Sequence, residues 1–401
     1  MADLCWLAVA FVVGAIVGGW LNKCIDRLPL EKSLFWPGNR CLKCAQPIHW
    51  YHALPLVSYW QLGGRCRACR QRFSFRYFAI ELLTALGFAG LYYLEVMRNV
   101  HDISPNLPEF KTACRIIFAY HAVLFSFLVV ATFIDIDHQI IPLPLTFVGT
   151  IVGLIGAVLW PWPWPYAPAL GIAPPDRLGR WLDVKIPQGL YPWPVWGPLP
   201  DWLPPGSVQL GLATGLAGLL LGTLALRVVR VCFGIGMGPE YMDEEDPRRK
   251  PTSLLGRGLS WFQRVGGKTM GLGDADLMMM AGAFLGWQPV LVSFFVATIP
   301  GLFFGLAHFI LSDDEPPAEA GKEPVEGSLP AGRSRPFPFG PALAIGVVAT
   351  FLLWQTLGPQ FQVLLFFGEF LIFIAIVSGI FMVVAGYLIR WVRRLLHGQE
   401  G

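Results

Sequence analysis

Nine runs of apolar residues recur along this 401-residue chain, at 4–21, 77–97, 113–134, 145–160, 208–231, 277–285, 290–311, 339–354 and 363–389. A bilayer core about 30 Å thick takes about 20 apolar residues of helix to cross. Backbone N–H and C=O groups find no water at that depth, so helices, which satisfy their own, are what such runs become. The run at 277–285 is short for a span and extends back toward Asp274. Composition points the same way. Only 14% of the residues are charged, against about 25% in soluble domains, and the mean hydropathy is +0.53. This excludes a disordered chain and argues against a water-soluble enzyme. A net charge of +3 is too weak a bias to propose nucleic acid as a partner.

Asp3 precedes the first run, whereas Lys23 and Arg27 follow it, and no A-x-A-like site is present. That charge order is the reverse of a secretory signal, so the run reads as a retained helix with its N-terminus outside. Alternation then places residues 23–76, 230–268 and the tail bearing Arg390, Arg393 and Arg394 inside. All three are rich in Lys and Arg, as cytoplasmic segments are. The expected organisation is a first helix (1–22), a cytoplasmic cysteine region (23–76), helices two to four (77–160), an outside loop (161–206), helices five to seven (207–311), a cytoplasmic linker (312–337), and two last helices with a basic tail (338–401). The outside loop is crowded with Trp and Pro. It reads as a stretch lying on the bilayer interface or as a docking surface. The acidic, Pro-rich linker reads as solvated.

Cys41-x-x-Cys44 and Cys66-x-x-Cys69 are two knuckles, each offering two thiolates from one tight turn. Together they make a tetrahedral four-thiolate site for a structural Zn²⁺. Redox cysteines or two disulfides are the alternative, and a reducing compartment disfavours them. Cys5, Cys24, Cys114 and Cys232 lie in or beside apolar stretches.

Asp135 ends the third run and Asp274 opens the sixth. A carboxylate at a helix C-terminus sits at the unfavourable end of the dipole, so Asp135 is an odd choice for a purely structural residue. Asp274, by contrast, can be read simply as an N-cap beside two turn glycines. The topology puts both at the inner membrane edge, where ionisable groups are functional candidates. Two carboxylates that meet share a proton, and one can then activate water while the other protonates a carbonyl oxygen. Asp137 and Asp276 stand two residues further on, and i and i+2 point to different helix faces. His138 reads as an ordinary solvated histidine or a proton carrier. The paired D-x-D pattern also admits a divalent cation on oxygen ligands.

At these residues the chain resembles the type IV prepilin peptidases, GxGD membrane aspartyl proteases. The resemblance rests on Gly19-Trp20-Leu21-Asn22 with Arg27-Leu28-Pro29, the cysteine region from Cys41 to Cys69, Arg76-Tyr77 with Glu81, and Asp135 followed by Ile141-Pro142. It continues through Gly266-Gly267-Lys268, Gly271-x-Gly273-Asp274 and Pro338-Phe339-Gly340-Pro341. It implies Asp135 and Asp274 as catalytic residues and Gly271, Gly273 and Lys268 as an active-site loop that meets substrate. It implies cleavage of prepilin or pseudopilin leader peptides at the cytoplasmic face of a bacterial inner membrane, beside pilus or secretion assembly machinery. It also implies N-methylation of the new N-terminus with S-adenosylmethionine, although no Rossmann glycine fingerprint follows a strand. Asp276 stands where the family commonly has Lys, and Leu143 follows Pro142 where Asp or Asn is usual.

The resulting expectation is an all-α polytopic membrane protein of about nine helices with a small zinc-ribbon-like region, acting as an aspartyl endopeptidase. A transporter, or a metal-binding membrane protein using the same carboxylates, is the rival.

Overall fold

Helix after helix follows from the apolar runs. The computed structural model of the chain describes residues 2–34, 38, 44, 46, 55–103, 110–159, 202–203, 207–238, 272–311, 338–366 and 368–397. Cys41, Lys268, Gly271, the linker at 312–336 and nearly all of the Trp/Pro loop lie outside the described residues.

Helix α1 covers Ala2–Arg27 and α2 is a short turn at Val57–Gln61; α3 covers Phe75–Tyr92 and continues into a π-turn at Tyr93–Met97. Then come α4 (Phe110–His138), α5 (Leu143–Leu159), α6 (Val208–Met237), α7 (Gly273–Leu285), α8 (Trp287–Leu311), α9 (Gly340–Leu352), α10 (Trp354–Phe366) and α11 (Gly368–His397). Serine side chains cap two of them. Ser74 accepts from the Arg76 N–H at 3.3 Å at the start of α3, and Ser207 accepts from Leu210 at 3.1 Å at the start of α6. Each satisfies a donor left over by the first turn. Among the described residues the structure is all-helical apart from one isolated antiparallel bridge, Arg65 to Arg72.

Five helices are long and apolar enough to cross a membrane, or six if α9 and the first part of α10 form one broken span. Nine runs were expected, and four of them form helices that are shorter or bent among the described residues, the last being apolar over Ala375–Leu388. The runs at 145–160 and 277–285 become α5 and α7, of 17 and 13 residues. At 1.5 Å per residue α7 reaches only about 20 Å. The run at 339–354 turns a corner between Leu352 and Trp354, where the chain bends by 91°.

Two packed groups position the site. Helix α1 lies along α3, and both pack on α4; α7 is embraced by α5 and α6. Gly218 of α6 and Gly282 of α7 meet backbone to backbone, with no room for a Cβ on either, the close approach that small residues permit between membrane helices. Helix α9 bridges the groups, packing on α8 and on α4. The core at their junction is apolar and close-fitting, with Leu124, Leu128, Ile134, Met280, Leu285, Leu343 and Val347 essentially inaccessible.

Candidate active site

Asp135 lies in the last turn of α4 and is 6% exposed. Its Oδ2 accepts a hydrogen bond of 2.9 Å from the backbone N–H of Gly340, the first residue of α9. Phe339, at the N-cap position, offers no side-chain acceptor. The carboxylate of another helix therefore takes one of the N–H groups that the start of α9 leaves over. That end of a helix carries the positive pole of the dipole and favours anions. The oddity seen in the sequence, an aspartate at the wrong end of its own helix, is resolved by the right end of a neighbour. A Cβ on Gly340 would stand 2.6 Å from Asp135 Oδ2, so no other residue permits this approach without displacing the carboxylate.

Asp274 opens α7 and is half-buried; no side-chain cap bond is made at the start of this helix. Leu272, not Asp274, occupies the N-cap position, so the capping reading of Asp274 fails. Instead the start of α7 is held against Ile141, six residues after Asp135, which puts the two aspartates at the same end of the bundle. The approach depends on Gly273, where a Cβ would meet the Ile141 Cβ at 3.0 Å and its N at 3.1 Å. The start of α7 thus lies against the turn that follows α4.

The second aspartate of each pair is turned elsewhere. Asp137 forms an ion pair with Arg76 of α3, whose guanidinium also lies 5.6 Å from the centroid of the Phe133 ring. Asp276 pairs with Arg227 of α6 at 3.2 Å. The spacing of two residues has separated the faces as helical geometry requires. The four carboxylates do not gather into one oxygen cage, and the groups that do converge at metal-ligand distance among the described residues lie elsewhere.

Around this centre several polar residues of the N-terminal half are tied into place. Tyr77 donates to Asp26 at 2.9 Å, Asn22 Nδ2 donates to the Tyr77 carbonyl at 3.0 Å, and Glu81 accepts from the Leu56 N–H at 2.7 Å. Arg27 donates to the carbonyls of Ser33, Leu34 and Gly38. These bonds fasten the cysteine region to the ends of α1 and α3.

Within that region Cys44, Cys66 and Cys69 converge, their sulfurs within 4.8 Å of one another, with Cys44 and Cys66 at 3.9 Å. A tetrahedron of thiolates with bonds of about 2.3 Å needs almost this separation, so the three fit a zinc site. The Cys66 N–H donates to the Gln71 carbonyl and the Arg70 N–H to the Cys66 carbonyl. Arg70 takes a positive φ of 55°, which closes the knuckle tightly enough to bring its two sulfurs together.

Helices α1, α4 and α5 enclose a groove of about 730 Å³, lined almost wholly by apolar side chains, among them Trp6, Val13, Phe118, Val130 and Leu145. Val130 is five residues before Asp135 on the same helix.

Gly340 carries no chemistry-bearing side chain to mark it in the sequence, because its contribution is a backbone N–H and the lack of a Cβ. Its only signal was the Pro338-Phe339-Gly340-Pro341 motif.

Comparison with known proteins places the chain among peptidases. Residues 12–94 match the family described as bacterial peptidase A24 N-terminal domain, and residues 199–306 match the type IV leader peptidase family. The chain is 31% identical over 268 residues to the prepilin leader peptidase/N-methyltransferase of Pectobacterium carotovorum subsp. carotovorum, covering 56% of this chain and 85% of that one. It is 28% identical over 296 residues to the protein of the same name from Myxococcus xanthus (strain DK1622), covering 74% of this chain and 61% of that relative. With its counterpart from Aeromonas salmonicida (strain A449) it shares 25% over 381 residues, covering 87% and 91%. No solved structure matches the chain.

Proposed function

The chain belongs to the type IV leader peptidase family, and on that premise we propose an aspartyl endopeptidase whose catalytic pair is Asp135 and Asp274. The observation that carries this reading is selective company. Asp137 and Asp276 are claimed by Arg76 and Arg227, while Asp135 and Asp274 have no such cation among the described residues and lie where the start of α7 meets the turn after α4. Asp135 holds the negative charge, stabilised by the Gly340 N–H and the start of α9. It takes a proton from a water whose oxygen attacks the scissile carbonyl. Asp274 carries the shared proton and gives it to the carbonyl oxygen as the tetrahedral intermediate forms. The division of roles follows from which carboxylate has the helix N-terminus.

The substrate class is the prepilin leader, named in the relatives. The apolar segment of such a substrate lies along the groove between α1, α4 and α5, a chemistry-matched seat that delivers the chain toward Asp135. Gly271, Gly273 and Lys268 form the loop that meets it. Cys41, Cys44, Cys66 and Cys69 hold a structural Zn²⁺, for which the three described thiols already converge. N-methylation of the freed N-terminus follows the relatives' name, with S-adenosylmethionine as donor. The site faces the cytoplasm of an inner membrane, with the N-terminus outside and pilus or secretion machinery as the receiver of the product.

Incubating the detergent-solubilised chain with a prepilin and S-adenosylmethionine, then weighing the product, tests this. A product lighter by the leader and heavier by one methyl is expected. An intact prepilin, under conditions where the chain remains folded, would remove the assignment.

A further inference from the structure

About four turns back along α4 from Asp135, three buried side chains form a centre of a different kind. Glu95 is 1% exposed, His121 0% and His101 9%. Glu95 Oε1 lies 2.6 Å from His121 Nδ1 and 3.3 Å from His101 Nε2. One nitrogen from each ring and one carboxylate oxygen all lie within 4.8 Å of one another. His121 and Asp135 are 14 residues apart on α4, or about 21 Å along the axis, so the two centres are separate.

We propose that Glu95, His101 and His121 bind a divalent transition-metal ion of the zinc type. Two imidazoles and one carboxylate are a donor set that zinc-type ions take. Burying a carboxylate here demands compensation, and one histidine would supply a hydrogen bond. Two are present, from different segments, and Glu95 Oε2 is buried with no hydrogen-bond partner among the described residues.

The backbone is shaped to aim these groups. Glu95 sits in the π-turn Tyr93–Met97, a form that inserts one residue into a helix and occurs often at functional sites. The loop carrying His101 is clamped from both sides. Asn99 Nδ2 donates to the Ile103 carbonyl at 2.8 Å, and the Ile103 N–H donates back to Asn99 Oδ1 at 3.1 Å. Gln355 Nε2 donates to the His101 carbonyl at 2.6 Å. Phe351 stacks on the His121 ring with centroids 4.4 Å apart and planes at 25°. Locked outer contacts of this kind orient metal ligands. The ion would fasten the end of α3 to α4, beside the corner where α9 turns into α10.

The test uses the full chain in detergent with Co²⁺ as the probe, because thiolate and nitrogen/oxygen ligands give cobalt different spectra. Two equivalents per chain are expected, one with thiolate charge-transfer bands and one without. Glu95→Gln, His101→Gln and His121→Gln should each drop the count to one and leave the thiolate bands. Cys66→Ser should do the reverse. In the wild-type chain, where no variant can misfold, the absence of any cobalt lacking thiolate bands overturns the proposal. So does a second equivalent that survives His121→Gln, since it would then be bound elsewhere.

Discussion

Two buried carboxylates lie at different levels along α4, and they keep opposite company. Asp135 accepts from the N–H of Gly340, with Asp274 of α7 as its proposed partner. Glu95, beside the middle of that helix, faces two imidazoles. Both carry the same functional group at nearly the same burial, so neither burial nor residue type tells them apart. The neighbours do. A carboxylate beside another carboxylate is left with a proton to share and can work on a substrate. A carboxylate between histidines is compensated and belongs to a structural or metal-binding centre. The same lesson holds at shorter range, where Asp137 and Asp276, two residues from the catalytic candidates, are neutralised by arginines.

The contrast is broken most directly at the dyad. Asp135→Asn and Asp274→Asn should each lower leader cleavage by roughly 10²–10⁴-fold, the usual worth of a positioned acid or base. The double variant should fall little further, because the pair acts as a unit. Melting temperatures should not drop in either single variant. Wild-type cleavage in Asp274→Asn would return that residue to the role of a helix-terminal aspartate.

A smaller loss is expected at Gly340. In Gly340→Ala the added methyl displaces the Asp135 carboxylate, and misplacement by about 1 Å can cost about 10²-fold. The effect should appear in kcat, and a variant with unaltered kcat would show that Asp135 does not need the start of α9.

At the histidine centre the readout should change from rate to stability. Glu95→Gln removes the charge that faces two imidazoles and should destabilise by about 1–3 kcal/mol, measured by thermal unfolding. Cleavage per folded molecule should change only a few-fold. Equal effects on melting and on rate at both centres would erase the distinction drawn between them.

The smallest effects belong to Asp137→Asn and Asp276→Asn. Partly exposed ion pairs contribute about 0–1 kcal/mol, and these side chains point away from the dyad, so cleavage should stay within a few-fold of wild type. Losses at all four aspartates of the size expected for Asp135 would instead revive a metal site built on both D-x-D pairs.

Much of the site was legible because it rests on periodicity and on motifs. Helical spacing separates Asp135 from Asp137 whatever surrounds them, and two C-x-x-C knuckles announce their own geometry. The count of spans was less legible. Hydropathy marks 277–285 and 339–354 as apolar, but it does not show that α7 packs between α5 and α6 or that the chain bends sharply after Leu352. Apolar runs measure how readily a segment leaves water, not whether lipid or protein receives it.

The histidine centre was not legible at all. Glu95, His101 and His121 are spread over 27 positions with no common spacing, and only the packing of α3, its loop and α4 brings them to one point. The start of α9 meeting Asp135 across 205 residues is likewise a product of tertiary contact. The sequence by itself determined which segments leave water, which carboxylates sit at helix ends and which cysteines can share a metal, because those depend on local spacing and transfer energy. Tertiary structure decided which charges face one another, because Coulomb interactions and hydrogen bonds depend on distance in space, and distance along the chain does not set it.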